Sequence, residues 1–118
     1  MSKENTRQEV LYETQTGTVS IRREGDRFRI YYGNVAIDQS LSEFKYLQTT
    51  VSTLYRYIKE VRMQYYKRFL IQIRKYSISL MLSASEIIEL YELLGGAKAM
   101  IDLDDLIHEA LQSGNSSK

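Results

Sequence analysis

The chain has 118 residues, a formal net charge of +1 and a hydrophobic fraction of 43%, which together are typical of a single globular domain. It contains no cysteine, which excludes disulfides, thiolate metal sites and a thiol nucleophile. It also has no apolar run of the roughly 18 residues that a membrane helix needs, and its N-terminus lacks the apolar core of a signal peptide. We therefore expect a cytoplasmic protein, not bound to a membrane, with one domain over residues 1–118 and flexible ends at residues 1–8 and 113–118.

The charge is distributed unevenly along the chain. Residues 55–82 contain seven Lys or Arg and one Glu, whereas residues 83–118 contain two Lys and seven Asp or Glu. The middle of the chain is therefore basic and its end acidic, although the whole molecule has almost no net charge.

The first part of the chain alternates between apolar and polar residues, as β-strands do. The alternation runs over residues 18–38 and is interrupted at Gly25 and at Gly33-Asn34, where a positive φ suits a tight hairpin. This pattern predicts three strands. A further strand is allowed at Val10–Thr14.

A long helix is predicted next, with Ser40 and Ser42 as candidate caps. Its apolar residues are spaced 3, 4, 3, 4 and 3 apart, which suits either a helix that covers a sheet or a heptad seam. They are Phe44, Leu47, Val51, Leu54, Ile58 and Val61. Because such a helix is longer than short strands need for cover, we predict that its second half forms an oligomer interface. The interface residues are Val51, Leu54, Ile58 and Val61.

Residues 68–82 return to the alternation of strands, with a turn predicted near residues 74–76. Ser83 or Ser85 is the expected cap of a second helix, which we predict to end at Gly95-Gly96 because glycine commonly terminates helices.

A third helix is predicted to begin at Asp102, since acidic residues are favoured in a first turn. Four apolar residues at helical spacing form its expected buried side. They are Leu103, Leu106, Ile107 and Leu111.

Two segments of the chain are similar to each other. RFRIYYGNVAIDQSLSEF (27–44) and RFLIQIRKYSISLMLSASEI (68–87) both begin Arg-Phe-x-Ile, alternate, and end in serines followed by Glu. The repeat predicts an α+β fold in which two tandem strand-strand-helix units form one antiparallel sheet with helices packed on one face. Phe28 would then match Phe69 and Ile30 would match Ile71, all buried. Chance similarity between two hairpins is the alternative.

The segment YGNVAIDQSLSEF resembles the signature of a small uncharacterised domain family of Bacteroidetes, in which Gly-Asn, an alternating strand and a Ser/Thr-x-x-Glu-Phe helix start recur. The rest of the chain matches that family only in layout, and the N-terminal cysteines associated with the family are missing. The family implies no activity. The duplicated plan is also similar in architecture to single-stranded nucleic-acid binders of the Pur and Whirly type, which is an analogy of fold alone.

Catalysis has few candidate residues. The single histidine, His108, follows Asp104 and Asp105 at helical spacing, so either aspartate can share a helix face with it. Such a pair could supply two metal ligands or an oriented base. The alternative is a solvated helix face. The phosphate-binding, dinucleotide-binding, zinc-protease and serine-hydrolase motifs are absent. We therefore predict that the chain is not an enzyme and has no catalytic, cofactor or metal site.

Ten tyrosines and no tryptophan make the aromatic composition unusual. Tyr55, Tyr57, Tyr65 and Tyr66 lie among Lys and Arg in or just after the long helix. They are either a recognition surface or rings at the edge of the core with their hydroxyl groups in water.

A second set of residues is predicted on the open face of the sheet, where basic side chains and an aromatic ring would suit nucleic acid. An ordinary solvated sheet face is the alternative. The candidate contacts are Arg22, Arg27, Arg29, Tyr31 and Arg74, with Gln72 beside them.

Our leading hypothesis is a small non-enzymatic protein-interaction module that self-associates as a homo-oligomer or binds another protein. The alternative is single-stranded nucleic-acid binding through this basic face.

Overall fold

The computed structural model describes residues 8–22, 24–61, 68–73 and 77–116. Within these ranges, six strands and two helices follow one another. They are β1 (Glu9–Glu13), β2 (Gly17–Arg22), β3 (Arg27–Tyr32), β4 (Val35–Gln39), α1 (Leu41–Val61), β5 (Arg68–Ile73), β6 (Ile78–Ser83) and α2 (Ala84–Ser116). The predicted turn at residues 74–76 lies outside the described residues.

The strands form two antiparallel sheets. The first has the order β1-β2-β3-β4, and the second contains β5 and β6. The α+β class and the antiparallel pairing are confirmed, and the further strand allowed near Val10 is present as β1. The prediction of one shared sheet is wrong. Near β4 the second hairpin contributes apolar side chains that line a cleft, Ile73, Ile78 and Leu80, in place of a strand paired with β4.

The inner face of the four-stranded sheet meets α1 and the first half of α2 in a single core. The rings of Phe28 and Phe44 stack with their centroids 5.3 Å apart, which joins β3 to α1. Phe28, Ile30 and Ile71 are buried as the repeat predicts, whereas Phe69 is only partly buried and packs against the core.

The repeat does produce the same local structure where a strand meets a helix. The Ser40 N–H donates to Glu43 Oε1 at 2.8 Å, and the Glu43 N–H donates to Ser40 Oγ at 3.2 Å. Ser83 and Glu86 repeat both bonds at 2.8 and 3.3 Å. Each helix therefore begins with a capping box, in which two N–H groups that lack helical partners are satisfied.

The C-terminal region is one continuous helix, and the predicted stop at Gly95-Gly96 is wrong. Gly96 lies inside α2 against the ring of Tyr12 in β1, so it is needed there for close packing. Asp102 is not a cap either, because it lies within α2 and its carboxylate pairs with Lys98 at 2.8 Å. Within the described ranges, neither helix has the length and continuous apolar character required to cross a membrane.

Candidate interaction surfaces

The apolar side of α2 changes direction along the helix. In its first half the buried residues are Ile87, Leu90, Leu93, Leu94 and Ala97. After residue 99, Ile101 still packs against the core, whereas five other large apolar residues lie at helical spacing in a different sector, and we call these five the C-terminal stripe. They are Met100, Leu103, Leu106, Ile107 and Leu111. At 100° per residue, the mean direction of the stripe differs from that of the buried residues by about 120°.

This rotation leaves the C-terminal stripe in solvent. Its five side chains are 40–64% exposed, so the prediction that residues 103–111 bury an apolar side is wrong for a single chain. At 100° per residue, Asp105 and Glu109 lie about 175° and about 145° around the helix from the centre of the stripe, whereas Asp104 lies only about 75° from it. The stripe itself is therefore apolar, with an acidic residue at one border.

The stripe borders an open cleft of about 260 Å³. One wall is formed by the end of the four-stranded sheet and the start of α1, where Leu11, Phe28 and Leu41 line it. Met100 and Ile107 line the other wall. Asp26, Asp104 and Asp105 also line the cleft, so the apolar stripe adjoins a cleft whose walls are apolar and whose border is acidic.

The predicted interface on α1 is mostly inside the chain. Val51 and Ile58 are buried in the core and Leu54 packs against it, because α1 contacts both the sheet and α2. Val61 is 48% exposed and is the member of this set that reaches the surface.

The described tyrosines of α1 divide between the helix interface and solvent. The rings of Tyr55 and Tyr91 stack with centroids 3.8 Å apart, which joins α1 to α2, and the Lys59 Nζ lies 5.8 Å from the centroid of the Tyr55 ring. Tyr57 is exposed. Tyr65 and Tyr66 lie outside the described residues.

The outer face of the sheet brings together three of the predicted arginines. Arg22 and Arg27 are directly opposite each other on β2 and β3. Arg29 lies two residues along β3 and donates two hydrogen bonds to Asp38 of β4, at 2.6 and 2.7 Å. Tyr31 is exposed on the same strand.

This arrangement forms a small polar pocket of about 120 Å³, which we call the arginine pocket. Its lining residues are Gln8, Arg22, Arg27, Phe28, Arg29 and Asp38. The hydrogen bonds from Arg29 lower the pKa of Asp38, and the charges of Arg27 and Arg22 add to that effect. The bond to Asp38 in turn raises the pKa of Arg29. Asp38 is therefore an ionised carboxylate among three guanidinium groups.

One other residue predicted on this face lies away from the pocket. Gln72 lies on β5, in the second sheet, and Arg74 lies outside the described residues. His108 Nδ1 lies 3.1 Å from the backbone carbonyl oxygen of Asp104. Within the described part of the chain, no three His, Asp or Glu side chains are grouped as metal ligands would be.

Sequence reasoning missed Asp38 and Met100. Asp38 could have been found from the predicted hairpin, because a two-residue turn at Gly33-Asn34 places it opposite Arg29. Met100 was missed because the helix was expected to end before it.

A search of curated proteins and a search of solved structures found no match. A model for a family of unknown function, DUF6686, matches residues 4–110. The expected resemblance to an uncharacterised family is therefore confirmed at that level. Since the match covers more than half of the chain, this protein belongs to the DUF6686 family of unknown function.

Proposed function

We propose that this chain is a non-enzymatic protein-interaction module that self-associates through the C-terminal stripe of α2. The observation that supports the proposal is the rotation of the apolar side of α2 by about 120° after residue 99. A helix that served only its own core would keep one apolar direction. Five large apolar side chains directed elsewhere are costly in water unless a partner covers them.

A second copy of the chain is the partner that we propose, because its stripe is apolar in the same way. If two stripes pack against each other, the contact is apolar on both sides. Glu109 then points away from the seam, and Asp104 lies at the border of the stripe, where the polar rim of an interface is expected. Ala99 and Ala110 lie in the same sector and allow the two helices to approach closely. Such a pairing is two-fold symmetric, as most protein dimers are.

The cleft beside the stripe is part of the proposed interface. Residues 100–111 span only about 17 Å of helix, which is shorter than a stable coiled coil. A standard interface buries about 800 Å² on each partner, more than two such short helices offer each other. The partner helix would therefore also occupy the cleft, against Leu11 and Leu41.

Size-exclusion chromatography with light scattering tests this proposal over the micromolar range. We expect the mass of a dimer for the wild-type chain and of a monomer for Leu106→Lys. Leu70→Lys is a matched control, because Leu70 is 63% exposed and Leu106 is 62% exposed. The control should remain a dimer. A wild-type monomer, or a dimer that persists in Leu106→Lys, would contradict the proposal.

Single-stranded nucleic-acid binding is a second candidate, favoured by the position of Tyr31 on the same strand as Arg27 and Arg29. Because Asp38 compensates Arg29, we count phosphate contacts from Arg22 and Arg27 alone. The slope of log affinity against log salt should then be about −1.4, at about −0.7 per contact on a single strand. An anisotropy titration with short oligo-dT checks this. Absence of binding at low salt would exclude the candidate.

A further inference from the structure

We infer that the arginine pocket is a binding site for one phosphate monoester group per chain. This site is separate from the self-association surface, which lies on α2 and its cleft. It uses the same arginines as the proposed single-stranded nucleic-acid surface, but the ligand is different. The group recognised is a single terminal phosphate, from a small metabolite or from the 5′ end of an oligonucleotide, and not the backbone of a strand.

The first observation is the like-charged pair across the sheet. Arg22 and Arg27 are directly opposite each other in the β2–β3 ladder. Like charges at such positions repel each other and destabilise the sheet. A bound dianion reverses this effect, because both guanidinium groups then have a common opposite charge between them.

The second observation is the orientation of Arg29. Its two hydrogen bonds to Asp38 fix the plane of the guanidinium group at the wall of the pocket. A guanidinium group has five N–H donors, so donors remain after Asp38 has accepted two. Asp38 therefore positions Arg29. Its negative charge also offsets one of the three guanidinium charges, so the pocket does not suit a ligand that needs three free positive charges.

The third observation is size. The pocket measures about 120 Å³. A space of that size admits a small tetrahedral oxyanion such as phosphate. The pocket is open to solvent on one side, where the rest of a phosphate monoester would lie. Since three arginines and one carboxylate line the pocket, its charge matches an oxyanion that carries two negative charges.

Inorganic phosphate is the first probe. In thermal unfolding of the full chain, phosphate at pH 7.5 should raise the unfolding temperature in a saturable way, compared with chloride at equal ionic strength. The double variant Arg22→Gln plus Arg27→Gln should weaken phosphate binding at least about tenfold for each guanidinium removed. Arg56→Gln, at an exposed position on α1, is the control and should respond as the wild type does.

The same variant separates binding from stability. In chloride, removal of the two arginines ends their mutual repulsion and also their attraction to Asp38, so the double variant should still unfold cooperatively within a few degrees of the wild type. A lost phosphate response is then not a folding defect. Arg27→Lys keeps the charge but not the two-pronged guanidinium, and it should bind phosphate more weakly than the wild type. Equal unfolding temperatures in phosphate and chloride, or an unchanged response in the double variant, would overturn the inference.

Oligonucleotides distinguish the source of the phosphate. A short oligo-dT with a 5′-phosphate should compete with inorganic phosphate for the pocket, and the same strand with a 5′-hydroxyl should not. If a small metabolite alone is the ligand, inorganic phosphate binds and neither strand competes. If both strands compete equally, the arginines recognise the backbone, which overturns the inference and supports the nucleic-acid candidate.

Discussion

The ring of Tyr12 lies against Gly96 and fills the space that a β-carbon at residue 96 would need. Tyr12 belongs to β1 and Gly96 to the middle of α2, so this contact fixes the helix close to the edge strand of the sheet. Beyond the contact, α2 continues past the sheet, and the C-terminal stripe begins one turn later. The glycine that suggested a helix stop is therefore a packing residue.

Substitution of Gly96 by Ala should destabilise the fold by about 1–3 kcal/mol, because the added methyl group displaces Tyr12 or shifts the helix. Gly95→Ala is the matched control on the neighbouring residue. A β-carbon there meets no atom within 4 Å, so it should stabilise the helix by about 0.5–1 kcal/mol. Urea unfolding of both variants measures the difference, and equal effects would contradict the Tyr12 contact.

The two capping boxes should be of similar strength and independent of each other. Ser40→Ala removes the hydroxyl that accepts a hydrogen bond from the Glu43 N–H, and Ser83→Ala removes the one that accepts from the Glu86 N–H. We expect each variant to lose about 1 kcal/mol of unfolding free energy. The double variant should lose about the sum, since distant sites are additive. A single variant with unchanged stability would show that its box does not form.

Tyr32 should make the fold sensitive to alkaline pH. Its hydroxyl donates to Glu89 Oε1 at 2.7 Å, and burial, together with that negative partner, raises the pKa of Tyr32 above its ordinary value near 10. The folded state therefore favours the protonated hydroxyl. This contribution to stability is fully present below about pH 10 and is lost as pH rises through the folded-state pKa.

Urea unfolding of the wild type and Tyr32→Phe at pH 8 and pH 11 measures this effect. The variant should lose less stability between the two pH values than the wild type does. Tyr57→Phe, on the exposed side of α1, is the control and should behave as the wild type. An identical pH dependence in all three chains would show that Tyr32 does not carry the alkaline sensitivity.

Gln39 is a buried amide in the core beside Phe28, with only 4% of its surface exposed. Its Oε1 has no hydrogen-bond partner among the residues that the structure describes. An unsatisfied buried acceptor costs about 1–3 kcal/mol, so Gln39→Met should raise the unfolding free energy by about 1–2 kcal/mol. Gln48→Met, at a half-exposed position on α1, should change stability by less than about 0.5 kcal/mol. A loss of stability in Gln39→Met would mean that the amide is satisfied.

Local patterns in the sequence predicted most individual elements. Period-two alternation identified the strands and the 3-4 spacing from Phe44 identified α1. The candidate serine caps included Ser40 and Ser83, which cap the two helices. Each of these features depends on residues that are close together in the chain, so it can be predicted from a single sequence. The outer-face arginines were likewise predicted from alternation, and the hairpin register contained the pairing of Arg29 with Asp38.

Long-range packing decided what the sequence could not. Gly96 has the same local signature as a helix stop, and only the position of Tyr12, 84 residues earlier, makes it an internal residue of α2. Whether β5 and β6 join β4 also depends on distant side chains rather than on the strand pattern. The same limit applied to α1, where Val51 and Ile58 proved to be core residues.

Cysteine cross-linking tests the proposed dimer most directly, because the chain contains no cysteine of its own. Single variants place one thiol on each side of α2, with Leu106→Cys on the C-terminal stripe and Glu109→Cys about 145° from its centre. Under mild oxidation at micromolar concentration, the account predicts that Leu106→Cys forms a disulfide-linked dimer rapidly and that Glu109→Cys remains monomeric on a denaturing gel. Equal cross-linking at the two positions, or none at Leu106→Cys, would contradict self-association through this face.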